Sequence, residues 1–400
     1  MKRHTSIIFA CLTVGALGSL SAQDLTITNA RIVDANRVAN NSVIERGSIV
    51  VRAGKIVSVA VGAPPAAAGK TGSDKTIDAK GMTVMPGFID AHRHINTGPM
   101  EKAQMQALLE AGYTTILSGG GPAEGNITLR DHIDKGVING PRIIPSGAVR
   151  LNGTAEAARA EVRKLAEMGV KFTGEILLTP IPGPSEKEIE VLKAVVDESK
   201  KVGVMVQVHA VSSKAMMAAV DAGVPLLVHI PNKDWVTKED AKKVAAAGVK
   251  ALGTVGFGSP VFGVFAEDNK ARFRDGKAWP EGIIDGVRLG EEAGYMPVNA
   301  RTLWDGGVIL GYCTDTTYDP KAGLDHELKI LNVMFSTQDL IKMMGPNTAS
   351  YIQMGDQLGT LDAGKLADFI LLDGDPREGY WNWLKTKVVV KGGTVVVDKR

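Results

Sequence analysis

Three stretches of this 400-residue chain repeat one layout. An amphipathic helical run ends in Gly-Val, an apolar strand-like run follows, and the sixth residue after the glycine is of a type that binds metal. These residues are Glu175 in GVKFTGE from Gly169, His209 in GVMVQVH from Gly203 and His229 in GVPLLVH from Gly223. A glycine at the helix C-cap starts each strand at a similar depth, so equal offsets predict similar heights near the strand ends. Alternating helix and strand is the pattern of parallel βα units. In a (β/α)8 barrel the C-terminal strand ends carry the active site. The chain is long enough for such a barrel of about 250 residues with a smaller domain attached.

The same layout extends outwards. GVILGYCTD from Gly307 puts Asp315 two residues beyond the equivalent height and on the same face by strand parity, and GVKALGT from Gly248 offers Thr254 as a pocket-lining residue. Upstream, PGFIDAHRH carries His92 and His94 at i and i+2, so both imidazoles face one side of a strand. Eight strands are expected at 83–91, 114–119, 143–148, 170–177, 204–209, 224–230, 249–255 and 307–314. The interval 256–306, rich in Gly and aromatics, is too long for an ordinary βα connection and reads as a lid or a packing insert, with a helix at EGIIDGVRLGEEAG.

The two ends differ in texture from this centre. DLTITNARIVD, GSIVVRAGKIVSVAVG, ADFILLDG and KTKVVVKGGTVVVDK are short alternating runs with turn residues between them, which predicts one β-sandwich built from residues 23–82 and 356–400, flanking a catalytic barrel at 83–355. APPAAAGKTGS reads as a surface loop. Lys2 and Arg3 before the apolar run IIFACLTVGALGSL, then small residues up to Ala22, give residues 1–22 the form of a secretory signal peptide and predict an exported, periplasmic or secreted protein. Cleavage would remove two of the 46 basic residues and none of the 44 acidic ones. A neutral mature chain offers no field to attract nucleic acid or an anionic membrane. Only Cys313 would then remain, which excludes an internal disulfide.

Six ligand-type residues therefore converge: His92, His94, Glu175, His209, His229 and Asp315. Three or four such donors suffice for one zinc ion, and six invite a two-metal site with a bridging carboxylate. Any one of these histidines alone would read better as a satisfied core residue. Together they predict two divalent metal ions, zinc first, with iron or manganese as alternatives.

With these residues in hand, the chain resembles the amidohydrolase superfamily and is similar to its imidazolonepropionase-like branch. The matching stretches are PGFIDAHRH, NGPRIIPSG, the strand ends VHA and VHI, the TD of GYCTDT, and LGTLDAGKLADFILLDGDP. The resemblance implies a metal-bearing barrel with a β-sandwich from both termini. Many binuclear members bridge their metals with a carboxylated lysine on the fourth strand, and here Lys171 and Glu175 share a strand face. Lys171 lies near the bottom of that strand, so Glu175 is the expected bridge, as in enamidase, which the chain resembles here. His92, His94, Glu175 and Asp315 would then hold one ion and Glu175, His209 and His229 the other. Asp315 would act as general base and acid in hydrolysis of a C–N bond in a cyclic amide or dipeptide-like small molecule. Rival readings are a mononuclear aminohydrolase acting on a heterocycle, a lactonase or esterase, and a non-catalytic binding protein.

The remaining polar residues have lesser expected parts. Arg93 faces away from the ligands as a structural ion-pair partner, and Arg150 and Asn152 are candidates for a substrate carboxylate or a solvated loop. His326 is a pocket or helix-surface residue and His132 a solvated one. Tyr312 and Cys313 stand where relatives often carry small residues, which blocks transfer of a substrate preference. A homo-oligomer is left open.

Overall fold

A computed structural model describes residues 24–66, 75–256, 290–316 and 319–400. The proposed signal sequence, part of the APPAAAGKTGS loop, and the aromatic stretch 257–289 with most of its expected helix lie outside these residues. The chain ends build one mixed eight-stranded sheet from β1 (Leu25–Ile32), β2 (Ile44–Arg52), β3 (Lys55–Val61), β4 (Lys75–Asp78), β5 (Thr83–Pro86), β15 (Phe369–Leu372), β16 (Thr386–Lys391) and β17 (Thr394–Asp398). Its order is β17-β16-β15-β5-β1-β2-β3, with β4 beside β1, so strands from the two termini interleave in a single ladder. Alternation puts Leu25, Ile27, Ile49, Val51, Phe369, Leu371, Val388 and Val390 into one buried cluster.

The centre is a parallel array: β6 (Phe88–Arg93), β7 (Tyr113–Ser118), β8 (Arg142–Ile144), β9 (Ser146–Gly147), β10 (Phe172–Leu177), β11 (Met205–His209), β12 (Leu226–Val228), β13 (Lys250–Gly253) and β14 (Ile309–Tyr312). One sheet runs β6-β7-β8 and another β9-β10-β11-β12-β13-β14, and only Pro145 separates β8 from β9. The expected first strand at 83–91 is two strands split at Gly87, the first in the terminal sheet and the second in the parallel array. A Cβ at Gly87 would stand 2.4 Å from the Thr114 side chain, so the crossing needs glycine. Ile89, Leu117, Phe172, Leu226 and Leu252, from five strands, meet in one buried cluster with Tyr351, whose hydroxyl donates to Gln207 Oε1 at 3.2 Å.

Between these strands run α1 (Ala35–Ala39), α2 (Glu101–Ala111), α3 (Ala123–Asp134), α4 (Ala155–Glu167), α5 (Glu186–Val202), α6 (Ser213–Asp221), α7 (Lys238–Ala246), α8 (Gly290–Asp305), α9 (Pro320–Met334), α10 (Thr337–Lys342) and α11 (Thr348–Tyr351). Gly169, Gly203, Gly223, Gly248 and Gly307 all end helices with left-handed φ, between 69° and 94°, a conformation that costs glycine nothing. α8 occupies the end of the expected insert and packs against α7 and α9. None of the described helices is long and apolar enough to cross a membrane.

The edge of β14 that faces β6 carries no ladder among the described residues. Its backbone groups are taken by side chains instead. Asn347 donates to Leu310 O at 2.9 Å, and Thr348 Oγ1 accepts from Tyr312 N at 2.8 Å. The terminal sheet is fixed to the array by Arg142, which bonds the buried Asp368 carboxylate at 2.5 Å, and by Trp383 stacked 6.0 Å from Phe88. These contacts account for the PRI and ADF portions of two motifs noted in the sequence.

Candidate metal centre

All six predicted donors meet at the C-terminal ends of the parallel strands. Glu175 Oε2 lies 2.8 Å from His209 Nδ1, 3.1 Å from His229 Nε2 and 3.8 Å from His92 Nε2, and its Oε1 lies 3.4 Å from His94 Nε2. Asp315 Oδ1 lies 3.2 Å from His94 Nε2 and 3.4 Å from His92 Nε2, with Oδ2 3.8 Å from His229 Nε2. Two overlapping donor triads have metal-binding separations, His92–His94–Asp315 and His92–Glu175–His229. Lys171 is exposed and precedes β10, whereas Glu175 points into the cluster.

The route to this arrangement differs from strand parity. Glu175 pairs across the ladder with Gln207 and Leu177 with His209, so equal sequence offsets are not equal ladder heights. Staggered parallel strands still bring the side chains together at their C-terminal ends. His229 and Asp315 lie beyond the ends of β12 and β14 and turn inward through left-handed backbone, at φ 69° and 51°. That conformation costs an ordinary residue roughly 1–2 kcal/mol and is tolerated best by Asp, Asn and His. Strain concentrated on two members of one cluster is typical of a functional site.

The electrostatics favour a bound cation. Burial pushes the Glu175 carboxyl up, but hydrogen bonds from His209, His229 and His94 outweigh it and hold the group far below the ordinary carboxylate range. Asp315 is likewise held low by His92 and His94 against its burial. Hydrogen bonds to Asp315 and Glu175 raise His94 to about 10, while burial pushes His229 down towards the neutral imidazole that ligates metal. Two carboxylates kept ionised among histidines call for positive charge between them, which a proton on His94 or a metal ion supplies. Among the described residues the buried His92 ring makes no well-directed hydrogen bond at either nitrogen, although its Nε2 stands 3.4 Å from Asp315 Oδ1. An orphaned buried imidazole costs free energy unless something binds it. A Cβ at Gly119 would approach His92 and His94 to 2.9–3.1 Å, so glycine keeps room around both rings. The donor set therefore fits a metal site.

Further groups support these donors, among them Thr254, expected to line the pocket, and Asp90, which the sequence reading did not assign. Thr254 Oγ1 sits 2.6 Å from His229 Nδ1 and sets the ring with Nε2 towards Glu175, a common outer partner of a ligating histidine. The buried Asp90 carboxylate accepts from His92 N at 3.2 Å and Thr314 N at 3.1 Å. A charged residue in the otherwise apolar PGFIDA run was the available signal. Arg93 is buried and bonds Thr314 and Thr316, as its predicted structural role requires. Arg150 and Asn152 are exposed beyond β9 and have no place among the six donors. His326 is buried on α9 and donates through Nε2 to Gly256 O at 2.5 Å, while the adjacent Glu327 accepts from Val255 N and Gly256 N. His132 pairs with Glu101 at 2.7 Å rather than standing free in solvent. Tyr312 and Cys313 are buried below the site. Beside His94 opens a cleft of about 590 Å³ whose walls include Ile95, Met100, Ala103, Leu108 and Pro320.

Known proteins share this architecture and sequence pattern. Residues 83–396 match the Amidohydrolase family model. An imidazolonepropionase from Caldanaerobacter subterraneus subsp. tengcongensis is 22% identical over 88% of this chain and 91% of its own length. An enamidase from Eubacterium barkeri is 30% identical over 35% of this chain and 39% of its own length. A solved structure of a putative prolidase from Bifidobacterium longum superposes with a TM-score of 0.76 at 26% identity, covering 95% of this chain and 97% of the other. With a family match spanning most of the chain and a metal-type donor cluster at the strand ends, this protein belongs to the amidohydrolase family and is a hydrolase acting on carbon–nitrogen bonds.

Proposed function

We propose that His92, His94, Glu175, His209, His229 and Asp315 hold two divalent cations, zinc first, and that the enzyme hydrolyses the C–N bond of a small amide, cyclic or dipeptide-like. The observation that carries this reading is the position of Glu175, within 2.8–3.8 Å of four histidine rings, where one carboxylate can serve two ions. Bound cations would supply Lewis-acid polarisation of a carbonyl and of the attacking water. The chain supplies the rest. Asp315, held ionised, accepts the proton of the attacking water as its oxygen bonds to the carbonyl carbon, and delivers that proton to the nitrogen as the C–N bond breaks. The products are a carboxylic acid and an amine. The cleft beside His94 takes an uncharged part of the substrate against Ile95, Met100 and Leu108.

The same reading closes the parallel strands β6–β14 into a barrel and makes the mature protein an exported one released from residues 1–22. Metal analysis of the purified chain, with hydrolysis assays on lactams, hydantoins, X-Pro dipeptides and lactones with and without chelator, tests it. About two ions per chain with chelator-sensitive amide hydrolysis is expected. One ion with release of ammonia from a heterocycle would replace this reading with the aminohydrolase, and preference for lactones would replace the amide.

A further inference from the structure

The six donors come from two differently built parts of the array. Glu175, His209 and His229 stand on or just beyond β10, β11 and β12, which are joined by continuous parallel ladders. His92, His94 and Asp315 flank the seam between β6 and β14, where no ladder runs among the described residues. Without a ladder, individual bonds must fix the distance between those two strand ends, because a loose seam would separate the His92–His94–Asp315 triad.

We propose that Asp90 and Thr314 are a positioning pair that staples this seam and sets the affinity of the metal site containing Asp315. The inference rests on the metal-centre reading above. The geometry is specific. Asp90, fully buried on β6, receives Thr314 N on Oδ1 at 3.1 Å and the Thr314 hydroxyl on Oδ2 at 2.5 Å, and its Oδ1 also accepts His92 N at 3.2 Å. One carboxylate therefore grips the backbone of a ligand on one strand and of the residue preceding a ligand on the other. A backbone bond completes the staple, from Asp315 N to His92 O at 2.9 Å. On the far side of Thr314, Arg93 donates to its hydroxyl at 3.2 Å and to Thr316 at 3.1 Å, and stands 3.8 Å from Asp90, which balances the buried negative charge. These bonds bracket the left-handed Asp315, and a conformation of that kind persists only where its surroundings over-determine it. Asp90 and Thr314 belong to neither donor triad, so they act through the ligands they hold.

Zinc-release titration of the full chain against a competing chelator tests this, with anomalous diffraction locating the ion that stays. For Thr314→Val the expected result is weakening of the Asp315-containing site by about 10- to 100-fold, with the Glu175–His209–His229 site changed by less than about threefold. Thr314→Ser, which keeps the hydroxyl, should restore the parent affinity. Asp90→Asn, which keeps one acceptor oxygen but cannot accept the hydroxyl on the other arm, should reproduce the selective loss and serves if the valine variant does not fold. Parent-like release at both sites in the folded variants, or equal loss at both, would overturn the staple. A parent chain that takes up no metal would instead overturn the metal-centre reading itself, so the two failures are distinct.

Discussion

The ladder-held side of the centre and the seam side solve the same problem by different means. On the ladder side, backbone hydrogen bonds run through β10, β11 and β12 up to the donors, and the side chains need only an outer partner such as Thr254 to fix their rings. On the seam side the backbone groups of β14 are taken by Asn347 and Thr348, Asp90 takes the Thr314 N–H just beyond it, and position depends on buried side-chain bonds between charged and hydroxyl groups. A parallel ladder tolerates substitution of any one side chain, because its bonds are main-chain. A buried carboxylate network fails when one member is lost, because the remaining polar groups are left unsatisfied. The seam is therefore the sensitive half, although both halves carry three of the six donors.

Glu175 links the halves, and removing its charge should have the largest effect. Glu175→Gln is expected to drop metal content below two ions per chain and to lower kcat by about a thousandfold or more, read by metal analysis and initial rates. Retention of two ions and parent kcat would remove Glu175 from the centre. Next comes Asp315→Asn, predicted to lower kcat by about 10²–10⁴-fold while leaving metal content largely intact, since the amide oxygen still points at the His92–His94 pair. Unchanged turnover would end its role as base and acid. A pure packing test of the seam side is Gly119→Ala, whose new methyl group would press on both seam histidines and weaken metal binding by about 10-fold without unfolding the chain. On the ladder side, Thr254→Val leaves His229 Nδ1 without its partner and should weaken the second ion by about 10-fold, so release from the two sites would diverge in opposite senses for these two variants. Lys171→Ala should be silent in metal content, kcat and melting temperature, because the side chain is exposed.

The ladder side was the more legible in sequence. The Gly-Val register placed Glu175, His209 and His229 together because helix C-caps and strand starts are local events with fixed residue preferences. The reading of equal height was too simple, since strand stagger shifts Glu175 to the level of Gln207. Asp315 was found by parity but arrives by a left-handed turn, which no periodicity encodes. Thr83–Pro86, just past the expected border at 82, pairs with Phe369–Leu372, a contact between residues nearly three hundred positions apart that local sequence does not carry. The terminal strands were expected as one β-sandwich from both chain ends, and their pairing does interleave both ends, in a sheet of mixed rather than purely antiparallel direction. Asp90 and Thr314 escaped notice because their work depends on which strands lie at the seam, and local sequence does not carry that.

The most direct measurement is an anomalous-scattering map from zinc-loaded crystals of the full chain. Two peaks are predicted, one among His92, His94 and Asp315 and one beside His209 and His229, with the Glu175 carboxylate between them. A single peak, or a modified Lys171 between two ions with Glu175 turned away, would contradict the account.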